Sequence, residues 1–333
     1  MCSKKLLPAA ILIAISAVVQ AEDRHHEGHA GHEDHSRHFA HHAHEPGEWM
    51  LSYRAMTMAM EGNRDGTSDV SDADVLVDFM VAPQNMDMTM HMIGAMVGVT
   101  HDISVMVMVP YLNISMDHII RTTGEQFTTD ASGIGDMKVI GKYLMVDTQD
   151  KQIFLSAGLS VPTGDTEVMD TTPMGEVRLP YPMRLGSGTY DLILATSAQY
   201  ALDNGAWGVD GEAMIRTGSN NGYTLGDRYK LGGWYTRGLA PEWSVTGRLS
   251  GETWKDIEGA DPAIAHMVAM VPSADPSLRG GRQINASLDL NFEPAGSEHE
   301  FSIELGTPVY QKLDGPQLAT DWVASIGWRA TIN

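Results

Sequence analysis

The sequence contains one cysteine, Cys2, so no disulfide within the chain can staple the fold. Beyond residue 21 it lacks any apolar run near the ~20 residues that a membrane-spanning helix needs, which excludes a helical bundle for that part. Basic residues are scarce, 22 Lys and Arg against 43 Asp and Glu, for a net charge of -21. A nucleic-acid partner is excluded on that ground, because neutralising phosphates takes clustered Lys and Arg.

What is present begins with Lys4 and Lys5, an apolar run over residues 6–19, and Val19-Gln20-Ala21 ahead of the polar Glu22-Asp23-Arg24. This predicts a cleavable secretory signal over residues 1–21, with which Cys2 would leave. Residues 22–48 carry His25, His26, His29, His32, His35, His38, His41, His42 and His44 among Asp, Glu, Gly and Ala. So little apolar content predicts a disordered tail. Its imidazoles suit Cu, Zn or Ni ions, and their irregular spacing predicts several weak, exchangeable sites rather than one. The plain alternative is a polar tether, and no cofactor is required on either reading.

From Trp49 onward the pattern is two-residue alternation. Trp322, Ala324, Ile326 and Trp328 interleave with Asp321, Val323, Ser325 and Gly327, and Phe301, Ile303 and Leu305 with Ser302, Glu304 and Gly306. Strands are predicted over 49–60, 86–100, 103–115, 133–146, 152–163, 188–202, 207–219, 226–238, 242–255, 281–293, 300–311 and 319–333. Most reach the length that a tilted strand needs to cross a bilayer. Short polar turns such as His101-Asp102 and Asp203-Asn204-Gly205 alternate with mostly longer loops, 61–85, 116–132, 164–187 and 256–280 among them. The reading is all-β: a transmembrane antiparallel up-and-down β-barrel of about twelve strands over 49–333, surrounded by outer-membrane lipid of a Gram-negative bacterium. An even count leaves both termini, and the tail, in the periplasm. A secreted β-sandwich is the alternative, and its strands are typically only ~5 to 6 residues.

"LSVPTGD" at 159–165 and "LGSGTYDL" at 185–192 resemble the paired P-T-G and G-(S/T)-G-(T/W/Y)-D signatures of the MetA-pathway phenol-degradation family, outer-membrane barrels usually assigned to transport. The motifs cover about thirty residues. The resemblance implies a fold and a membrane, not a substrate. The chain departs from such barrels at its end, Thr331-Ile332-Asn333, where an aromatic residue is common.

Charge placement sets the expected faces, since an Arg or Lys facing lipid at mid-depth costs roughly 2 to 4 kcal/mol. Asp136, Lys138, Lys142, Asp191, Asp210, Glu212, Arg216, Arg228, Lys230, Arg248, Glu252, Asp289, Glu304, Asp321 and Arg329 are therefore expected in the lumen, where they can pair across the pore. Arg54 shares its parity with Met50, Met56, Met58 and Met60. Its inward placement would carry these methionines inward. "QNMDMTMHMIGAMV" at 84–97 repeats the device, because Ile93, Ala95, Val97 and Val99 suit lipid and leave Met86, Met88, Met90, Met92 and Met96 inside. Met106 and Met108 follow on the next strand. A single bulge would reverse the parity and turn the methionines to lipid.

Two functions compete on these residues. Thioethers fill space adaptably against loosely specified apolar or aromatic solutes, which suits a small-solute channel or transporter. They also ligate Cu(I) and Ag(I), which with a metal-buffering tail suits soft-metal handling and resembles in composition the copper-resistance barrels. An enzyme would need a fixed Ser-His pair with an orienting acid or amide. Of His91, His101, His118, His266 and His299, only His91 falls well within a predicted strand, without a serine partner in the linear sequence, so no enzyme is expected.

A peptide of residues 22–48 is expected to bind several Cu(II), Zn(II) or Ni(II) ions at neutral pH and to release them below roughly pH 6, since imidazole, with a pKa near ~6.5, must be neutral to ligate. Calorimetry giving less than one ion per peptide at pH 7 would leave only the tether.

Overall fold

The computed structural model describes residues 45–332. The signal segment and all the tail histidines lie outside the described residues. Within them the chain forms β1 (Trp49–Gly66), β2 (Ser68–Val70), α1 (Asp72–Asp78), β3 (Val81–Gly98), β4 (Ile103–Ile120), β5 (Gln126–Ile134), β6 (Met137–Asp147), β7 (Lys151–Val161), β8 (Met169–Thr172) and β9 (Gly175–Arg178). It continues with β10 (Asp191–Leu202), β11 (Gly205–Arg216), β12 (Tyr223–Thr224), β13 (Arg228–Ala240), β14 (Trp243–Trp254), β15 (Glu258–Gly259), β16 (Gly281–Phe292) and β17 (His299–Ile332).

One antiparallel sheet runs β17-β16-β14-β13-β11-β10-β7-β6-β4-β3-β1 and closes on itself where β1 pairs with β17. An odd ring cannot close with every neighbour antiparallel. The length of β17, 34 residues, resolves this. Its first part pairs with β16, from Phe292↔Phe301 to Gly281↔Leu313, and its second with β1, from Gly66↔Leu313 to Trp49↔Ile332. The two arms fold together beyond Leu313, where the Thr320 N–H donates to Gln311 Oε1 (3.0 Å) and Ser325 Oγ donates to Glu304 Oε2 (3.2 Å). Eleven elements thus make twelve spans. The register Trp49↔Ile332 puts the two ends of the barrel on one rim.

Alternation explains the faces. Leu231 is 70% exposed, and Ile93, Leu288 and Leu305 are each 63% exposed. So many large apolar side chains on one continuous outer face suit hydrocarbon, not water.

Three strand predictions change at the long-loop end. β1 runs to Gly66, β3 begins at Val81, and β4 continues to Ile120. The strand expected over 133–146 is two elements, because β4 changes partner from β5 (Tyr111↔Ile134) to β6 (Met108↔Lys138). Pro110 stands at the change. It has no N–H to leave unpaired, and its carbonyl accepts from the Gly135 N–H at 2.9 Å.

The loops carry structure of their own. Ser71 caps α1 reciprocally with Asp74, β8 pairs with β9, and β12 pairs with β15. One apolar cluster joins Val81 to Tyr181, Tyr223, Ile257, Ile264, Met267, Val271 and Ala274 from three loops. A second joins the wall residues Met86, Ile114 and Met116 and Ala131 to the loop residues Leu179, Met183 and Leu185. The loop between β7 and β10 therefore lies against the inner wall of β3 and β4.

The two sequence signatures hold that loop. Asp136, at the break between β5 and β6, accepts from the Gly164 N–H (3.0 Å), the Ser187 N–H (2.7 Å) and Ser187 Oγ (2.8 Å). Gly164 and Gly186 meet backbone to backbone: a Cβ on Gly164 would lie 2.7 Å from Gly186 Cα. Gly188 follows at φ 73°, in the left-handed region that glycine tolerates. Gly164→Ala is expected to lower stability by roughly 1–3 kcal/mol through overpacking. Gly251→Ala, where nothing lies within 4 Å, should be near neutral. Thermal unfolding in detergent compares the two, and equal melting temperatures would contradict the close approach.

Candidate functional site

The inner face is divided by strand. On β1, β3 and β4 the methionines stand in register: Met50↔Met96↔Met106 near the short-turn rim, then Met56↔Met90 and Met58↔Met88, then Met60↔Met86↔Met116 toward the loops. Directly opposed residues bring Cβ atoms within about 4.5–5.5 Å on one face. Met92 is opposite Arg54, and Met108 is opposite Gly94 and Lys138. A methionine wall three strands wide results.

The other strands carry charge. Asp191 and Arg216 are register partners on β10 and β11 and form an ion pair at 2.5 Å. Glu212, Lys230 and Glu252 stand in one row over β11, β13 and β14, with Arg228 pairing Glu252 at 3.2 Å. Arg248 on β14 reaches past β13 to Asp210 on β11 at 2.5 Å. Gly232 lies between them, and a Cβ there would come within 3.0 Å of Asp210 Oδ2 and 3.2 Å of Arg248 Nη1. Arg54 likewise pairs with Glu304 at 2.8 Å across the arm that holds Gly327. Arg329 pairs with Glu300, and Lys142 Nζ sits 3.7 Å over the Phe154 ring.

Pairing across the pore was the sequence expectation. The pairs run instead along the wall, between neighbouring or next-neighbouring strands. Strands lie about 4.7–4.9 Å apart, so an arginine spans two spacings when glycine stands between. Asp136 also differs from expectation, since its carboxylate is occupied by the loop donors. His91 shares the Tyr53 side of its strand and bonds the Tyr53 hydroxyl at 2.8 Å. His118, expected in a loop, is in β4, buried and stacked on Phe127 at 4.9 Å.

Sequence reasoning missed the group that holds the loops over the long-loop mouth. Asp261 is 1% exposed and accepts from Arg184 Nη2 (2.8 Å) and Arg178 Nη1 (3.2 Å). Its N–H donates to the Tyr181 hydroxyl at 3.0 Å, and Arg184 sits 4.7 and 4.8 Å from the Tyr181 and Tyr223 ring centroids. Burial opposes the Asp261 charge, but the Ala263 N–H, Arg184 and Arg178 outweigh it and hold the carboxyl below its usual range. The depressed value means that the latch contributes above an unfolded pKa of about 3.9 and is lost as pH falls through the folded one. No local signal marks these residues, which are 77 and 83 positions apart. Met116 was legible in principle, because it continues the parity of Met106 and Met108.

A family model described as "Putative MetA-pathway of phenol degradation" matches residues 84–299, well over half of the chain. The chain belongs to that family. Within this family member both signature motifs act on the loop that enters the barrel. No curated protein matches the sequence. Among solved structures the chain is similar to the COG4313 outer membrane channel from Pseudomonas putida F1, with TM-score 0.61 and 12% identity, covering 86% of this chain and 96% of that one. The KdgM porin gives 0.44 and 8% (85% and 99% covered), and the transport unit of the autotransporter AIDA-I from Escherichia coli 0.45 and 10% (85% and 90%). At 12% identity the likeness to the Pseudomonas putida channel shows the fold alone, a β-barrel.

Asp261→Ala leaves Arg184 buried without its counter-charge, a loss of roughly 3–5 kcal/mol where a buried pair is broken. The barrel should persist while the cap loosens, so trypsin should cut after Arg178 and Arg184 in the variant and not in the wild type. An uncut variant would show that the cap does not depend on the latch.

Proposed function

We propose that the protein is an outer-membrane channel for a small solute whose apolar or aromatic body runs along the methionine wall. The carrying observation is the cross-strand register Met56↔Met90, Met58↔Met88 and Met60↔Met86. It gives one continuous, neutral and deformable surface, facing charged strands whose pairs satisfy one another. Thioethers adapt to varied apolar shapes without demanding a hydrogen-bond partner. Family membership and the channel fold support passage rather than catalysis. The short-turn rim carrying both ends is assigned to the periplasm, and the looped rim to the exterior.

A second reading is passage of copper or silver, favoured by the same direct opposition of thioethers. Substitution separates the two. Replacing Met56, Met58, Met60, Met88, Met90, Met92, Met96, Met106 and Met108 by Leu in groups keeps apolar volume. Solute uptake into proteoliposomes should remain near wild type. Met88→Asp or Met90→Asp should cut it by about tenfold or more, each tenfold corresponding to about 1.4 kcal/mol. Reduced copper or silver tolerance in well-assembled Leu variants, with solute uptake intact, would favour the second reading. Unchanged uptake in the Asp variants would remove the solute path along this wall.

A further inference from the structure

Independently of what passes through the barrel, we propose a soft-metal site for Cu(I) or Ag(I) between the inner wall and the entering loop, with Met86, Met116 and Met183 as thioether ligands and His118 as the imidazole ligand.

Three observations carry it. Met86 and Met116 are register partners on β3 and β4, 5% and 2% exposed, and Met183 from the loop shares their cluster at 0% exposure. Met60 and Met88 pack against the same cluster from β1 and β3. Three buried and two partly buried thioethers therefore meet, from three neighbouring strands and a loop. His118 lies two residues beyond Met116 on the same face of β4, 4% exposed, with Nδ1 buried and lacking a hydrogen-bond partner. A buried ring nitrogen without a partner is costly unless something else uses it.

The ligand chemistry selects the ion. Thioether and imidazole are neutral ligands. A monovalent ion enters such a dry site at a much smaller desolvation cost than a divalent one. Soft sulfur prefers Cu(I) and its congeners. Among the described residues there is no group of three or more His, Cys, Asp or Glu placed to hold a metal, which leaves hard and borderline divalent ions without a comparable centre there. Apolar filling alone would account for the methionines, since leucine and isoleucine share the cluster, but it gives the imidazole nitrogen no role. Because Met183 belongs to the loop and Met86 and Met116 to the wall, an ion held here would also tie the loop down.

X-ray absorption on the full-length protein in detergent, loaded with Cu(I) under reductant, tests the site. Sulfur is expected in the first coordination shell of the wild type. The tail supplies only nitrogen and oxygen, so a first shell without sulfur overturns the proposal. In Met86→Leu/Met116→Leu/Met183→Leu the sulfur contribution should fall by at least half while tail-bound nitrogen remains. An undiminished sulfur shell would place the metal elsewhere on the methionine wall and overturn the assignment. Should the triple variant fail to fold, Met116→Leu alone is measured for the same loss. His118→Phe keeps the ring stack on Phe127 and should weaken Ag(I) binding about tenfold, whereas unchanged affinity would remove His118 from the site.

Discussion

In hydrocarbon a backbone N–H or C=O has no water to turn to, so each must find a partner within the protein. The closure of β1 on β17 follows from this requirement, as does the fold-back of the 34-residue last element, without which the ring could not close with every neighbour antiparallel. Pro110 sits where β4 exchanges β5 for β6, the point at which a missing donor is least harmful. The loop-end extensions of β1, β3 and β4 are free of the bilayer's length limit, and there the regular ring gives way to partial ribbons and packed loops.

Once the ring is closed, alternate side chains have no choice but to face inward, and the interior solves its own electrostatics locally. Arg248 with Asp210, and Arg54 with Glu304, each reach past an intervening strand. Gly232 is the clearest case of a residue present for the space that it leaves. Ion pairs along β10 to β17 and the methionine registers of β1, β3 and β4 thus fall on different parts of the ring.

The loops are fastened at two depths. Asp136 grips the two signature motifs near the wall, and Asp261 with Arg184 and Arg178 locks two loops together. Between them lies the apolar cluster that contains Met86, Met116 and Met183. The loop between β7 and β10 is consequently part of the interior rather than a surface excursion. The signature glycines Gly164 and Gly186 are explained by the backbone contact between them, which no side chain could occupy.

By itself the sequence determined the architecture: the transmembrane barrel, about twelve strands, the rhythm of short turns and long loops, and the parity that groups Met56, Met58 and Met60. Each depends on a two-residue period or a local turn, and those are visible in any short window of residues. It could not reveal that β4 runs on to Ile120 or that β5 and β6 are separate, because strand ends depend on which partner is available. Only the tertiary structure decided what the loops do. Arg184 and Asp261 are 77 residues apart, and Met183, on the loop that Asp136 bonds at Gly164 and Ser187, shares a cluster with Met86. Contacts of that kind leave no periodicity in the chain. They are fixed by closure of the ring, which brings distant loops to one mouth and makes burial of their apolar side chains favourable.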